Sequence, residues 1–565
     1  MTDNYEVVVA GGGPVGMWLA AELRRAGVSV VVLEKRAERP PQSKALTVYP
    51  RTVEMLAMRG LADRFLAEGA PVPSSHFAIL GNRLDFSFLD TRYPFTLFLP
   101  QRRTEELLAG HLDELGVPLL PSHEVTGVRQ HAGAVEVDIV APAGPATITA
   151  AYVVGCDGAG SAVRQAAGIE FAGTPSSWYC ILGDVELAEP PAGRALTMSP
   201  PGGSLYMVAL GGGRWRIAVI EHAAMFAPPA GPVTFAELQA STLRLAGTDF
   251  GMREKPGTWL SRVGNETRQV TDYRRGRVFL AGDAAHVHFP AGGQGLNLGL
   301  QDASNLAWKL AAELRGWAPA WLLDTYQAER APVGLDVIED SLAQCGLFAS
   351  PGREGVALRD RFNRILGENE ALCRSLAVRL SGLGVAYPAT GPETGPAGPG
   401  QSPLAGHRVP DLPLRGAPAS SVYQLLNQAT FVLLTQPRQA RPPHSGDIQK
   451  YSGRLAAVAG ELADASPGWA GLRALLIRPD GYVAWALPES GPPAEPPLGT
   501  WLGLTDTDRG RFVPVYLCAK GIFAAPRRGN GFSCDDRVLL GECGISLCSL
   551  AWRLPGVLTG RRLVR

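Results

Sequence analysis

Short continuous apolar runs and apolar positions stepped at helical spacing alternate at the start of the chain. Val7, Val8 and Val9 form one run, as expected of a strand. Val15, Leu19 and Leu23 then recur every fourth residue, which predicts one face of a helix over Pro14–Arg25. A second apolar run, Val28–Leu33, ends in Glu34. Gly11, Gly13 and Gly16 fall between the first run and the helix, so the pattern predicts strand, turn, helix and strand within about 30 residues.

The glycines of that turn have distinct physical roles, which are a tight turn, close approach of backbone to a pyrophosphate, and close packing of helix on strand. The helix N-terminus, beginning at Pro14 and Val15, offers free N–H groups and the positive end of a dipole to such an anion. Glu34, followed by Lys35, stands where a carboxylate accepts the hydroxyl protons of an adenosine ribose. A non-phosphorylated ribose, as in FAD or NAD, suits that acid, and this stretch alone leaves the two nucleotides open.

Further along, Pro50 opens a helix that carries Arg51, and Phe95–Pro100 reads as a strand leading into a helix at Gln101. Val135–Val140 alternates like a strand, and Tyr152–Cys156 is a short buried run ending in Asp157-Gly158. From 175 to 272 glycine-punctuated apolar runs dominate (Ile181–Leu187, Ser204–Leu210, Trp215–Glu221, Trp259–Val263), and they predict a mostly antiparallel sheet inserted into the first domain. Arg277–Ala281 returns as a buried strand ending at Gly282-Asp283. Leu296, Leu300, Ala303, Ala307, Leu310 and Leu314 then mark a helix behind Pro290, Gly293 and Gly295. Helical patterns continue to Leu383, a Pro- and Gly-rich linker is expected over 387–405, and 406–504 reads as a small α/β domain with strands near Phe431–Leu434, Leu475–Arg478 and Tyr482–Trp485. The expected organisation is therefore 1–174 and 273–386 as two parts of a nucleotide-binding domain with its helices, 175–272 as a substrate sheet, then linker, small domain and a weakly packed tail over 505–565 to which no function is assigned.

Composition narrows the classes. A chain of 565 residues exceeds one core. Its 53 basic and 53 acidic residues cancel, so nothing steers the whole protein toward nucleic acid or an anionic membrane. No apolar run reaches transmembrane length, and the first apolar run is the strand of the glycine turn, not a signal peptide. The 8 cysteines include no CxxC pair and read as buried thiols of a cytoplasmic protein, with neither a disulfide frame nor a metal site.

Asp157-Gly158 and Gly282-Asp283 repeat the logic of the first turn: a carboxylate at the carboxyl end of a buried strand, where an α/β ligand crevice lies. The glycine-rich run before Leu296 and Asn297 adds a second helix N-terminus suited to an electron-rich group. Gly11-x-Gly13-x-x-Gly16 with Glu34, Asp157-Gly158, and Gly282-Asp283 with Pro290 to Asn297 resemble the three fingerprints of the FAD-dependent aromatic hydroxylases, single-component flavoprotein monooxygenases of the para-hydroxybenzoate hydroxylase fold. Gly406-x-Arg408-x-Pro410-Asp411 and Arg478–Gly481 resemble the C-terminal domain of their longer members, which include hydroxylases that tailor aromatic polyketides.

That resemblance implies a Rossmann-like FAD-binding domain with an inserted antiparallel substrate sheet, a helical segment and a thioredoxin-like C-terminal domain. It implies FAD, NADPH or NADH, and O2 as cofactors, and a flavin C4a-hydroperoxide that hydroxylates a small aromatic, polyketide-like substrate. Gly11, Gly13, Gly16 and Glu34 would hold the ADP half of FAD, and Val125 would touch the adenine by its backbone. Lys44, where the family commonly has arginine, would stand near the phosphates or ribityl chain, with Gln101 beside it. Asp157 would serve flavin and nicotinamide, Asp283 a ribityl hydroxyl, and Pro290 to Asn297 the flavin ring, with the N–H groups of Leu296 and Asn297 at its pyrimidine edge. Arg51 either faces the flavin and a substrate oxygen or caps a helix at the surface. Trp178, Tyr179, Tyr206, Trp215 and Phe226, with Pro290, are candidates for the substrate pocket. His286 and His288 are read as structural residues beside the turn in preference to an acid–base or metal pair. The same oxygen chemistry used for Baeyer–Villiger insertion or ring opening, and an FAD-binding module without catalysis, are the alternatives. A monomer or a homodimer is expected.

Overall fold

A computed structural model describes residues 5–227, 231–388, 402–436, 448–463, 468–490 and 495–503, with the backbone of 515–518 and 521–524. Its first sheet has six strands, in the order Arg274–Arg275, Val278–Leu280, Tyr152–Gly155, Val7–Ala10, Val30–Glu34, Leu119–Pro121. All neighbours are parallel except the outer pair at Arg274–Arg275. Val7 faces Val30 on one side and Tyr152 on the other, and Gly155 faces Leu280, so the glycine turn, Asp157 and Asp283 all follow the carboxyl ends of neighbouring strands. The apolar runs are uninterrupted because both faces are covered: Val7, Val8, Val9, Val31 and Val32 have no exposed surface. The helices Pro14–Arg25 and Gly295–Leu314 lie against each other, and Trp18 Nε1–H donates to Ser304 Oγ at 2.7 Å between them.

The insertion is antiparallel throughout. Ala195–Met198, Gly203–Gly211, Arg214–Glu221 and Tyr179–Leu187 pair in that order, and the last strand also takes Met252–Arg253 and Trp259–Gly264. Helix Phe235–Ala246 covers it, capped by Thr234, whose Oγ1 accepts the Glu237 N–H at 3.2 Å. A small hairpin, Ser74–His76 with Arg83–Asp85, stands apart from both large sheets. No sequence pattern marks it, because strands of three residues show no periodicity.

Beyond the Pro- and Gly-rich stretch a four-stranded sheet runs Leu455–Ala459, Phe431–Thr435, Leu472–Ile477, Val483–Pro488. The first pair is parallel and the others antiparallel. Leu455–Ala459 escapes a reading of the sequence because three of its five residues are alanine, a poor strand former, and the strand is half-buried to exposed along its length. The stretch itself lies mostly outside the described residues, but its flanks meet: the Tyr387 N–H donates to the Gly406 carbonyl at 2.9 Å. Val409, Val432 and Leu475 of the C-terminal region belong to the same apolar cluster as Val53, Met58 and Leu61.

Buried charge lies between these regions. Glu329 accepts from Arg478 at 2.8 and 2.9 Å and from Lys309 Nζ at 2.8 Å, while Arg478 also pairs with Asp480. Arg59 pairs with Glu22 and donates to the carbonyls of Leu426 and Pro479. Desolvation makes such groups expensive singly, and the network is tolerable only because each charge has its partners. Residues 1–505 form one compact unit, and 506–565 a second. Of the second, the hairpin Val515–Cys518 with Gly521–Ala524 is described, and the weak packing expected for the tail falls outside the described side chains. No described helix is long and apolar enough to cross a membrane.

Candidate active site

At the end of the Val7–Ala10 strand Gly11 adopts φ +105°, and a Cβ there would stand 2.3 Å from the Cys156 carbonyl oxygen. A Cβ on Gly16 would stand 2.0 Å from the Gly11 carbonyl oxygen, so the helix seats directly on the turn. Gly13 differs: nothing lies within 4 Å of its Cβ position, which opens on a cavity. No side chain caps this helix, so its first N–H groups are left for a ligand. Glu34 is held at the cavity wall by the N–H groups of Gly12 at 2.8 Å and Arg36 at 3.0 Å, one on each oxygen.

Asp157 Oδ2 accepts the N–H of Ala162 at 2.8 Å and of Val163 at 3.3 Å. Its Oδ1 is buried and has no partner among the described residues. A buried carboxylate oxygen without a donor is unfavourable by a few kcal/mol, roughly 1–3 or more, so this atom marks a place where a ligand hydroxyl fits. Asp283 lies in a tight turn over Gly282–Ala284, exposed on the cavity wall. That turn is fastened from behind. Asp302, fully buried, accepts from Gly282 N–H at 3.1 Å, His286 Nε2 at 2.6 Å and Arg330 Nε at 2.7 Å. Burial opposes the charge of Asp302, but Arg330 and His286 outweigh it and hold the carboxyl below its usual range. His286 is therefore structural. His288 instead lines the cavity; burial lowers its pKa, and its Nε2 has no partner among the described residues.

The second glycine-rich turn contributes Pro290, Gly293, Gly295 and Leu296 to the same wall, ahead of a helix that no side chain caps. Asn297 anchors this turn. Its Oδ1 accepts from Tyr49 N–H and Thr52 Oγ1, both at 2.8 Å, and its Nδ2 donates to the carbonyls of Thr47 and Gly293. Tyr49 closes the arrangement by donating its hydroxyl to the Gly292 carbonyl at 2.5 Å.

One cavity of about 1310 Å³ joins these features. Gly11, Gly13, Pro14, Val15, Glu34, Lys35, Lys44, Gln101, Val125, Asp157 and Asp283 line it together with the second turn. The volume exceeds the roughly 300–1,000 Å³ that one drug-sized ligand fills, leaving space for a dinucleotide and a second molecule. Gln101 accepts the Ala45 N–H at 3.0 Å and donates to Glu105 at 2.8 Å, which fixes the loop carrying Lys44. The cavity continues to the antiparallel sheet, where Leu182, Tyr206, Arg216, Ala218, Ile220 and Trp259 face it.

Several residues singled out in the sequence lie elsewhere. Arg51 is 1 % exposed, paired with Glu54 at 3.0 Å, and donates to the Asp480 carbonyl at 2.8 Å. It is absent from the cavity wall, because its side chain points from its helix into the junction with the C-terminal sheet. Trp178 packs on Phe289 and Phe348, and Trp215 lies in the separate apolar cluster on the far side of the sheet. Tyr179 and Phe226 also lie off the wall, and Phe226 is exposed. Strand alternation explains the division: Tyr206 and Arg216 point to the cavity, while their neighbours Leu205, Met207, Trp215 and Ile217 point into the cluster.

Three cavity residues carry no signal that the sequence alone reveals. Arg216, 4 % exposed, pairs with Asp184 at 2.7 Å and donates to the carbonyls of Ser43 and Lys44, clamping that loop to the sheet. Opposite strand positions carry Asp184 and Arg216, a cue that only strand register supplies. His76 and Arg83 face each other on the small hairpin, and both line the cavity.

No cluster of metal-ligating side chains occurs among the described residues. Residues 4–341 match the family described as FAD binding domain, and residues 402–504 match aromatic-ring hydroxylase, C-terminal. An uncharacterised aromatic compound monooxygenase of Bacillus subtilis is 44% identical over 87% of this chain and 96% of its own. The 12-dehydrotetracycline 5-monooxygenase/anhydrotetracycline 6-monooxygenase of Streptomyces rimosus is 43% identical over 91% of this chain and 100% of its own. The solved structure of an anhydrotetracycline hydroxylase from Streptomyces rimosus superposes with a TM-score of 0.79 at 42% identity, covering 89% of this chain and 100% of that one. An uncapped glycine turn, an orphaned carboxylate oxygen and a long cavity are thus what a bound dinucleotide requires, and the chain belongs to the FAD-dependent aromatic-ring hydroxylases, as a flavoprotein monooxygenase.

Proposed function

We propose that this enzyme holds an aromatic polyketide between the antiparallel sheet and the Pro290–Leu296 turn and adds one oxygen atom of O2 to its ring, with NADPH or NADH as reductant. The observation that carries the reading is the continuity of the cavity from the Gly11–Gly16 turn to the sheet. When bound, FAD supplies the redox chemistry, accepting reducing equivalents and activating O2. The chain supplies placement. Gly11 and Gly16 shape the turn on which Gly13 admits the pyrophosphate, Glu34 takes the ribose, Val125 the adenine, and Lys44 and Gln101 the phosphate and ribityl side. Asp157 Oδ1 and Asp283 accept ligand hydroxyls, and the N–H groups of Leu296 and Asn297 meet the electron-rich ring edge. Ile79, Leu182, Ala218, Ile220, Phe289 and Phe348 make the wall beside that turn apolar, which keeps water from the reacting atoms.

We further propose that residues 406–504 form a thioredoxin-like domain: a parallel strand pair followed by two antiparallel strands, with the first strand in the interior, supports this. The relatives' tetracycline names motivate the substrate class. The test is incubation of FAD-loaded enzyme with NADPH, labelled O2 and anhydrotetracycline or another aromatic polyketide. A product carrying one labelled oxygen is expected on the ring, and its structure separates hydroxylation from Baeyer–Villiger insertion. Return of every polyketide unchanged, with FAD bound, would contradict the reading.

A further inference from the structure

The hairpin Ser74–His76 with Arg83–Asp85 brings two polar side chains to the cavity beside the sheet. His76 and Arg83 are register partners, and residues directly opposite in an antiparallel pair stand about 4.5–5.5 Å apart at Cβ. The His76 ring packs on Tyr206, centroids 5.0 Å apart, which ties the hairpin to the Gly203–Gly211 strand. Ser75, next in the chain, is 3.2 Å from the Tyr49 hydroxyl that holds Gly292, so this corner adjoins the second glycine-rich turn.

Neither residue is satisfied by the protein. His76 Nδ1 is buried and has no partner among the described residues. Arg83 donates Nε–H to Ser74 Oγ at 2.9 Å and has no ion-pair partner among the described residues. The other two arginines where the cavity meets the sheet are neutralised: Arg216 by Asp184 and Arg262 by Glu237. Burial, reinforced by the charge of Arg83, pushes the His76 imidazole down to about 4, so it is neutral at pH 7 and offers one donor and one acceptor nitrogen. Burial pushes the Tyr206 hydroxyl up to about 12, so it also stays neutral. An uncompensated guanidinium beside a neutral imidazole, with apolar Ile79 and Phe348 nearby, suits a flat ligand bearing a partly anionic oxygen.

Resting on the substrate reading above, we propose that His76 and Arg83 form the recognition site for a hydroxy–keto edge of the substrate, a phenol or enol whose hydroxyl sits beside a carbonyl on the next-but-one carbon. Arg83 donates to the more acidic oxygen and draws it toward the anion. His76 accepts from or donates to its neighbour. The aromatic ring so held is enriched in electrons and faces the Pro290–Leu296 turn.

The test is equilibrium binding to the oxidised, FAD-loaded full chain, using 1,8-dihydroxyanthraquinone and its dimethyl ether as probes, with the visible spectrum of the former reporting its ionisation. Wild type is expected to bind the hydroxy compound about tenfold more tightly or better, the scale of one hydrogen bond to a charged group, and to shift its spectrum toward the anion. Arg83→Met should abolish both the preference and the shift. His76→Gln, which retains an acceptor, should keep the shift and lose about threefold in preference. FAD content and a melting curve for each variant separate these effects from misfolding, and the wild-type preference stands as a test without any variant. Equal binding of the two probes by wild type, or an undiminished preference in Arg83→Met, would overturn this inference and leave the substrate reading standing. Binding of neither probe by FAD-loaded wild type would overturn both.

Discussion

Charged residues at the junction with the C-terminal sheet are paired with one another, whereas the cavity wall carries several unpaired charges beside paired ones such as Arg216 with Asp184. At the junction, Glu329 has Arg478 and Lys309, Glu54 has Arg51 and Arg408, and Glu22 has Arg59. Around the cavity, Lys35, Lys44, Arg83 and Asp283 have no ion-pair partner among the described residues, and Asp157 Oδ1 has no donor. A closed network holds protein to protein, and an open charge on a cavity wall waits for a molecule that is not protein. Arg51 and Arg83 are the same residue type in the same enzyme, yet one is consumed by structure and the other is available to chemistry.

The largest effect is expected from breaking the closed network. Glu329→Ala leaves Lys309 without a carboxylate partner among the described residues and Arg478 with Asp480 alone, and should lower stability by about 3–5 kcal/mol, read from denaturant midpoints. Burial alone would raise the Glu329 pKa, but Arg478 and Lys309 outweigh it and bring it to about 2, against 4.5 for the free side chain. A depressed carboxylate stabilises the fold fully above its unfolded value, and that contribution is lost as pH falls from about 4.5 toward 2. Wild type should therefore weaken over that acid range, and Glu329→Gln should show a shallower decline. A variant with unchanged midpoint and unchanged acid limb would show that the network contributes nothing.

Next in size is the open carboxylate. Asp283→Ala should fold normally and bind FAD at least tenfold more weakly, the loss of a hydrogen bond to a charged acceptor of about 1.5–3 kcal/mol. Fluorescence quenching of added FAD reads this. Smaller is Arg51→Met, which leaves Glu54 paired with Arg408: melting should fall modestly, by about 1–3 kcal/mol in stability, with FAD affinity unchanged within a factor of two.

The legible part of this molecule is the part governed by local rules. Gly11, Gly13 and Gly16 between apolar runs, Glu34 at a strand end, and Asp157 and Asp283 after short buried runs can be located because strand, turn and helix N-terminus each have a spacing. Their meeting on one cavity follows from strand order, which the spacing does not state. What stays illegible depends on register and on which face a residue takes. Trp215 and Tyr206 are both aromatic residues of the inserted sheet, and only strand pairing shows that Tyr206 faces the cavity while Trp215 does not. Arg51 is misplaced by a local reading because its partner, the Asp480 carbonyl, lies 429 positions away in the chain. His76 and Arg83 belong to strands too short to announce themselves.

The contrast between open and closed charge is tested most directly by measuring FAD dissociation constants of Asp283→Ala and Arg51→Met side by side with wild type. A loss of tenfold or more is expected for Asp283→Ala and no change for Arg51→Met. Retained affinity in Asp283→Ala together with lost affinity in Arg51→Met would contradict the assignment of open charge to ligand and closed charge to structure.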